Sequence, residues 1–177
     1  MLIKRILLSV FVLLVLCLVI RVLIIGLQPE VLPVGSIMPT ITFEDKLGSQ
    51  VLKTDSVHKT MIVCFNSDCE HCMYELNVIN DNYQKFKNIN IYLLTAEENF
   101  NTRDYLNKFT RFKKANNVKW GSINNNEFKN KLGGFGVPYI LIFDKYGVLL
   151  NKITGEIKLT KLLEEFSGSG TLSKRYN

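Results

Sequence analysis

The chain has 177 residues, 47% of them hydrophobic, and a formal net charge of +6. That length suits one well-packed domain and excludes two ordinary ones once the apolar amino terminus is set aside. The charge gives no support for a nucleic-acid partner: Lys4, Arg5 and Arg21 supply half of it, no acid precedes Glu30, and the +3 left for residues 28–177 includes no dense basic block.

From Ile6 to Leu27 the sequence is apolar apart from Ser9, Arg21 and Gly26. At ~1.5 Å per helical residue such a run crosses a ~30 Å hydrocarbon core, so residues 1–27 are expected to form a membrane anchor. A cleaved signal peptide would need a short apolar core and a small-x-small site, which Ile24-Ile25-Gly26 does not supply. A lipid anchor at Cys17 is disfavoured by the bulky Leu16 before it. The preferred reading is an uncleaved, single-pass anchor. Lys4 and Arg5 would stay in the cytoplasm, with everything after the span on the outer side. Arg21 either snorkels to the outer interface or marks a shorter span ending at Ile20.

Residues 28–39 carry three prolines and a glycine and read as an extended tether. Residues 40–167 hold the patterned part. Ile41-Thr42-Phe43 and Val51-Leu52 flank a Lys46-Leu47-Gly48-Ser49 turn and predict a hairpin. Met61 to Phe65 reads as a strand covered on both faces. Leu76, Ile79, Tyr83 and Phe86 mark an amphipathic helix from about His71 to Lys87. Ile89 to Leu94 is a second buried strand, and Tyr105, Leu106, Phe109 and Phe112 share a helical face. Val118 to Ile123 predicts a strand, and Asn126 to Leu132 a short helix ended by Gly133-Gly134. Tyr139 to Phe143 and Val148 to Ile153 are joined by Asp144-Lys145-Tyr146-Gly147 as a hairpin, and Ile157 to Phe166 closes the domain as a helix. This order implies an α/β sandwich with a mixed sheet, followed by a polar tail at 168–177.

Cys69-Glu70-His71-Cys72 lies where the Met61–Phe65 strand hands over to the helix. Two thiols at that spacing can close and open a disulfide. They can also be half of a zinc site, but the remaining cysteines are Cys17 in the span and Cys64 in the strand, and the other histidine is His58. Neither a metal nor another cofactor is expected. A peroxide-reducing cysteine would need a proline upstream that Met61 to Cys69 lacks, and no histidine follows His71 to serve copper delivery.

Four features together resemble the thioredoxin fold, and within it the membrane-anchored TlpA/ResA-like thiol-disulfide oxidoreductases found outside the bacterial cytoplasm. They are Gly35-x-x-x-Pro39-x-x-x-Phe43 with its hairpin, Cys69-Glu70-His71-Cys72 after a buried strand, Glu75 three residues past the second thiol, and Gly136-Val137-Pro138 leading into a strand. The resemblance covers about residues 35–166. It implies a three-layer sandwich around a mixed sheet, and Pro138 as a cis-proline facing the thiols. The 66 residues from Cys72 to Pro138 leave room for the extra strand-helix unit of that group. It also implies protein disulfides or dithiols as substrates, an upstream redox partner, and a catalytic domain on the outer face of the cytoplasmic membrane. The chain departs from the pattern at Asp68, where a tryptophan is common, at Glu70-His71, where thioredoxin has Gly-Pro, and at Val63, where thioredoxin buries an acid. Glu75 is the candidate replacement for that acid.

Only a thiolate attacks a disulfide, so Cys69 needs positive potential. The amino end of a helix supplies it, and a protonated His71 would add to it, while Asp68 and Glu70 act in the opposite direction. The sequence leaves the net sign open. Cys72, one turn further, is the natural resolving thiol, and Glu75 on the same helix side could exchange its proton. Val137 beside Pro138 falls in the groove for an extended partner. Blander alternatives stand beside these roles: His71 as a solvated first-turn residue, Glu75 as an exposed acid, Val137-Pro138 as a plain trans strand entry. For the whole domain the alternative is a tethered, non-catalytic binding module stapled by a structural disulfide, although a bridge across two residues constrains little chain.

Overall fold

The computed structural model describes residues 2–26, 30–97 and 107–167. The chain divides into two compact units, Met1–Glu30 and Val31–Asn177. The first holds α1 (Leu2–Gly26), which lies within the expected anchor segment 1–27 and is long and apolar enough over Ile3–Leu23 to cross a membrane. Its 25 residues rise about 38 Å, and large apolar side chains such as Leu8, Phe11 and Leu14 are exposed along it. Leu27, with the first residues of the expected tether, lies outside the described residues.

The second unit is built on the strands β1 (Thr42–Asp45), β2 (Gly48–Val51), β3 (Lys59–Phe65), β4 (Ile89–Thr95), β5 (Val118–Ser122), β6 (Tyr139–Phe143) and β7 (Leu149–Thr154). They form one sheet in the order β2-β1-β5-β4-β3-β6-β7. β3 runs parallel to β4 and β4 to β5, whereas β1 with β2 and β5, and β6 with β3 and β7, are antiparallel. The helices are α2 (Glu70–Asp81), α3 (Thr110–Lys113), α4 (Asn125–Asn130) and α5 (Leu159–Glu164).

The two-residue period of the strands divides the core between the faces of the sheet. Met61, Val63 and Phe65 of β3, with Ile140 and Ile142 of β6, meet Leu76 and Ile79 of α2, Phe112 of α3 and Leu162 of α5. Ile62 and Cys64 of β3, with Leu141 and Phe143, meet Leu32, Phe128 of α4 and Leu132 on the opposite face. Each large side chain sealed this way contributes about 1.5–3 kcal/mol. This is the expected sandwich: a mixed sheet between helical layers.

Several boundaries differ from expectation for local reasons. The helix predicted to reach Lys87 stops at Asp81, because Asn80-Asp81-Asn82 is a run of poor helix formers and both the backbone N–H and Nδ2 of Asn82 turn back to the Val78 carbonyl. A 3-10 turn over Tyr83–Phe86 then still delivers Phe86 to the core. The first hairpin is tighter than predicted. Asp45 pairs with Gly48, Asp45 Oδ1 accepts from Leu47 N at 2.7 Å, and Gly48 has φ +103. Ile41 and Leu52 become its buried flanks.

The predicted tether belongs to the domain from Val31 onward. Leu32 is buried, Gly35 N and Met38 N donate to the carbonyls of Leu149 and Gly147, and Ile37 bridges Val148. Phe109 and Phe112 are buried as their shared face implies. Tyr105 and Leu106 lie outside the described residues, as does the tail from 168.

Candidate active site

Cys69 caps α2 at its amino end. Its backbone is extended (φ −90, ψ 111), and its Sγ accepts the Cys72 N–H at 3.3 Å. A thiolate at this position replaces a neutral cap with an anion at the positive end of the helix. The same Sγ reaches the Val137 carbonyl at 3.8 Å, and the Val137–Pro138 peptide is cis. The predicted nucleophile and the predicted groove are therefore neighbours. Cys69 is partly exposed and Cys72 is fully buried; both are free thiols.

The burial of Cys72 decides its acidity. Desolvation pushes its thiol up to about 12, and hydrogen bonding to Cys69 adds to this, while the Asn66 backbone works in the opposite direction. Cys64, sealed on the far face of β3, is likewise raised by desolvation first and by Cys72 second. It packs as a small core residue.

Glu75 is completely buried on α2. Desolvation raises its pKa, opposed by the Ile157 backbone N–H and supported by the charge of Glu156. Its Oε2 accepts from Ile157 N at 3.1 Å, while Oε1 is buried without a hydrogen-bond partner among the described residues. The hydrogen bond of Glu75 thus runs to the loop after β7 and not to Cys72. His71 Nδ1 lies 2.6 Å from Glu156 Oε1 in a largely exposed pair. Asp68 and Glu70 are exposed, and Asp68 N donates to Asn66 Oδ1 in a tight turn.

Two parts of the site escaped the sequence. Gly155-Glu156-Ile157 ties three predicted residues together: Gly155 N donates to the Pro138 carbonyl at 2.8 Å, Glu156 holds His71, and Ile157 N holds Glu75. Glu97, just past β4, accepts from Ser67 Oγ at 2.6 Å, Ser67 N at 3.1 Å and Thr95 Oγ1 at 3.0 Å, which fixes the turn that leads into Cys69. The parallel pairing of Phe65 with Thr95 carried a signal for this second contact, since it sets residues 67 and 97 level beyond the strand ends.

No family model and no curated protein matches the chain. Solved structures do. The thioredoxin domain of a thiol-disulfide oxidoreductase from Bacteroides vulgatus superposes with a TM-score of 0.56 at 23% identity, covering 76% of this chain and 98% of that one. A thiol:disulfide interchange protein from Bacteroides sp. gives 0.57 at 22% identity, over 80% and 97%. A peroxiredoxin-like protein from Aquifex aeolicus gives 0.60 at 16% identity, over 78% and 88%. The chain has the thioredoxin fold. Since the same fold is shared by a peroxiredoxin-like protein, chemistry has to be argued from the thiols themselves.

Proposed function

We propose that the domain carries out thiol-disulfide exchange on partner proteins through Cys69 and Cys72, in the reducing direction, outside the bacterial cytoplasm and held at the membrane by α1. The observation that carries the reading is the placement of Cys69 Sγ at the amino end of α2, 3.8 Å from the carbonyl of Val137 beside Pro138, with Cys72 buried behind it.

In the forward step the Cys69 thiolate attacks one sulfur of a client disulfide. The client S–S bond breaks, a mixed disulfide forms on Cys69, and the departing client sulfur takes a proton. Cys72 then loses its proton and attacks Cys69 Sγ. The mixed disulfide breaks, the second client sulfur leaves as a thiol, and two electrons have passed to the client while Cys69 and Cys72 become a disulfide. An upstream dithiol returns the pair to its reduced form. The client would lie extended along Val137, pairing its backbone with the groove. Glu75, three residues past Cys72 on α2, is the candidate to exchange the Cys72 proton, since burial raises its pKa above that of an ordinary carboxylate.

The test is trapping with Cys72→Ser in the native membrane. Exchange predicts a stalled mixed disulfide on Cys69 with a client protein; no trapped species, together with two slow and equivalent thiols on alkylation, would leave a tethered binding module. Equilibration of the pair with glutathione decides direction, because a potential near −120 mV, at the oxidising end of the known range, rules out a dedicated reductant.

A further inference from the structure

A cavity of about 290 Å³ opens at the carboxyl ends of the parallel strands β3 and β4. Asn66, Glu97, Asn125, Phe128, Gly136 and Val137 line it. Its volume falls just below the ~300–1,000 Å³ of small-molecule sites and suits one long side chain. Val137 forms both a wall of this cavity and the carbonyl that faces Cys69 Sγ. In an extended client paired along Val137, successive side chains alternate in direction, so residues flanking the attacked cysteine are carried to the cavity side.

The polar lining is dominated by one anion. The Glu97 carboxylate accepts three hydrogen bonds, from Ser67 Oγ, Ser67 N and Thr95 Oγ1, and a carboxylate has about four acceptor sites. Among the described residues no lysine or arginine forms an ion pair with it. The three donors hold the group in place, no described residue compensates its charge, and one acceptor site is left for a further donor. Phe128 offers an aromatic ring to the stem or head of a cationic side chain.

We propose that this cavity is a subsite for a lysine or arginine side chain flanking the attacked cysteine of the client, with Glu97 recognising its charge. The inference rests on the exchange reading above. The fixed carboxylate donates no proton and takes no part in electron transfer; it selects which disulfide is presented to Cys69.

The full chain in detergent is assayed on peptide disulfides that differ only in the residue beside the cysteine: lysine, norleucine or glutamate. The wild type is expected to reduce the lysine peptide about tenfold faster, as kcat/KM, than the norleucine one. Glu97→Gln should bring that ratio close to one, and Glu97→Lys should turn the preference toward glutamate. Ser67→Ala loosens the same turn but keeps the carboxylate, and should keep the preference. Because each result is a ratio within one variant, a general loss from loosening the turn cancels. Equal rates on the three peptides with the wild type, or a lysine preference that survives Glu97→Gln, would overturn the subsite while leaving exchange intact. Absence of reduction of every peptide and of a small aromatic disulfide would overturn exchange, and the subsite with it.

Discussion

Glu156 Oε1 sits 2.6 Å from His71 Nδ1, joining the histidine of the Cys-x-x-Cys motif to a residue 85 positions away in the loop after β7. The adjacent residues of that loop hold Pro138 and Glu75. His71 therefore does not present an isolated positive charge to Cys69. A protonated His71 would have its field offset by the carboxylate beside it, with Asp68 and Glu70 acting in the same direction.

Replacing Glu156 by Gln removes that carboxylate. The pair is 75% and 42% exposed, so its contribution to stability is about 0–1 kcal/mol, and the melting temperature should barely move. The reduction potential should rise by roughly 10–30 mV, since less negative charge near the thiols favours the reduced, thiolate-bearing form. Equilibration with glutathione measures it; a fall in potential would contradict the assigned sign.

Cys72 should resist alkylation when Cys69 does not. Its thiol is buried and pushed up to about 12, so iodoacetamide at pH 8 should label Cys69 and spare Cys72 and Cys64, read by peptide mass spectrometry. The raised pKa also sets a stability window. A thiol whose folded pKa exceeds its unfolded value of 9.0 stabilises the reduced fold fully below pH 9 and loses that contribution as pH climbs toward 12. Denaturant titrations should show Cys72→Ser declining less steeply than the wild type across that window.

Glu75 has the same sign in a different range. Its pKa is raised by burial, so its contribution is complete below the unfolded value of 4.5 and is lost as pH rises through the folded value. Glu75→Gln should therefore gain stability relative to the wild type as pH increases from 4 to 8, while slowing turnover. Urea midpoints across that range test the first part; a gap that narrows with pH would refute it.

Gly121 on β5 faces a different constraint. A Cβ there would lie 2.5 Å from the Glu44 carbonyl and against the Phe43 ring, so β1 has to shift to admit it. Gly121→Ala is expected to cost about 1–3 kcal/mol, measured by chemical denaturation, without altering the reduction potential of the thiols.

The layout of the domain was legible because its central strands β3, β4 and β6 are largely apolar runs and its turns carry Gly and Asp where the backbone needs them. Asp144 shows this well: Oδ1 accepts from Tyr146 N and Val148 N, and Gly147 takes φ +82. Cys69, Cys72, Val137 and Pro138 were legible through their order along the chain. Glu97 and Glu156 were not, because each is one acid in a polar loop whose meaning comes from the strand register or loop closure that brings it to Ser67 or His71. The end of α2 was misjudged because Tyr83 and Phe86 continue a helical spacing that the 3-10 turn also satisfies. Residues 28–39 were read as an extended tether ahead of the domain because proline and glycine mark extended backbone equally well whether it is solvated or bridged to β7.

That bridge gives the chain a mechanical order. Along the chain from the amino-terminal side the first anchor is buried Leu32, whose carbonyl accepts from Lys152 Nζ, and the backbone hydrogen bonds of Gly35, Ser36 and Met38 to Leu149 and Gly147 follow, all of them ahead of β1 and the thiol-bearing strand β3. A tug on the domain would load this short seam beside β7 ahead of the strand that leads to Cys69, which makes the segment a candidate strain relief.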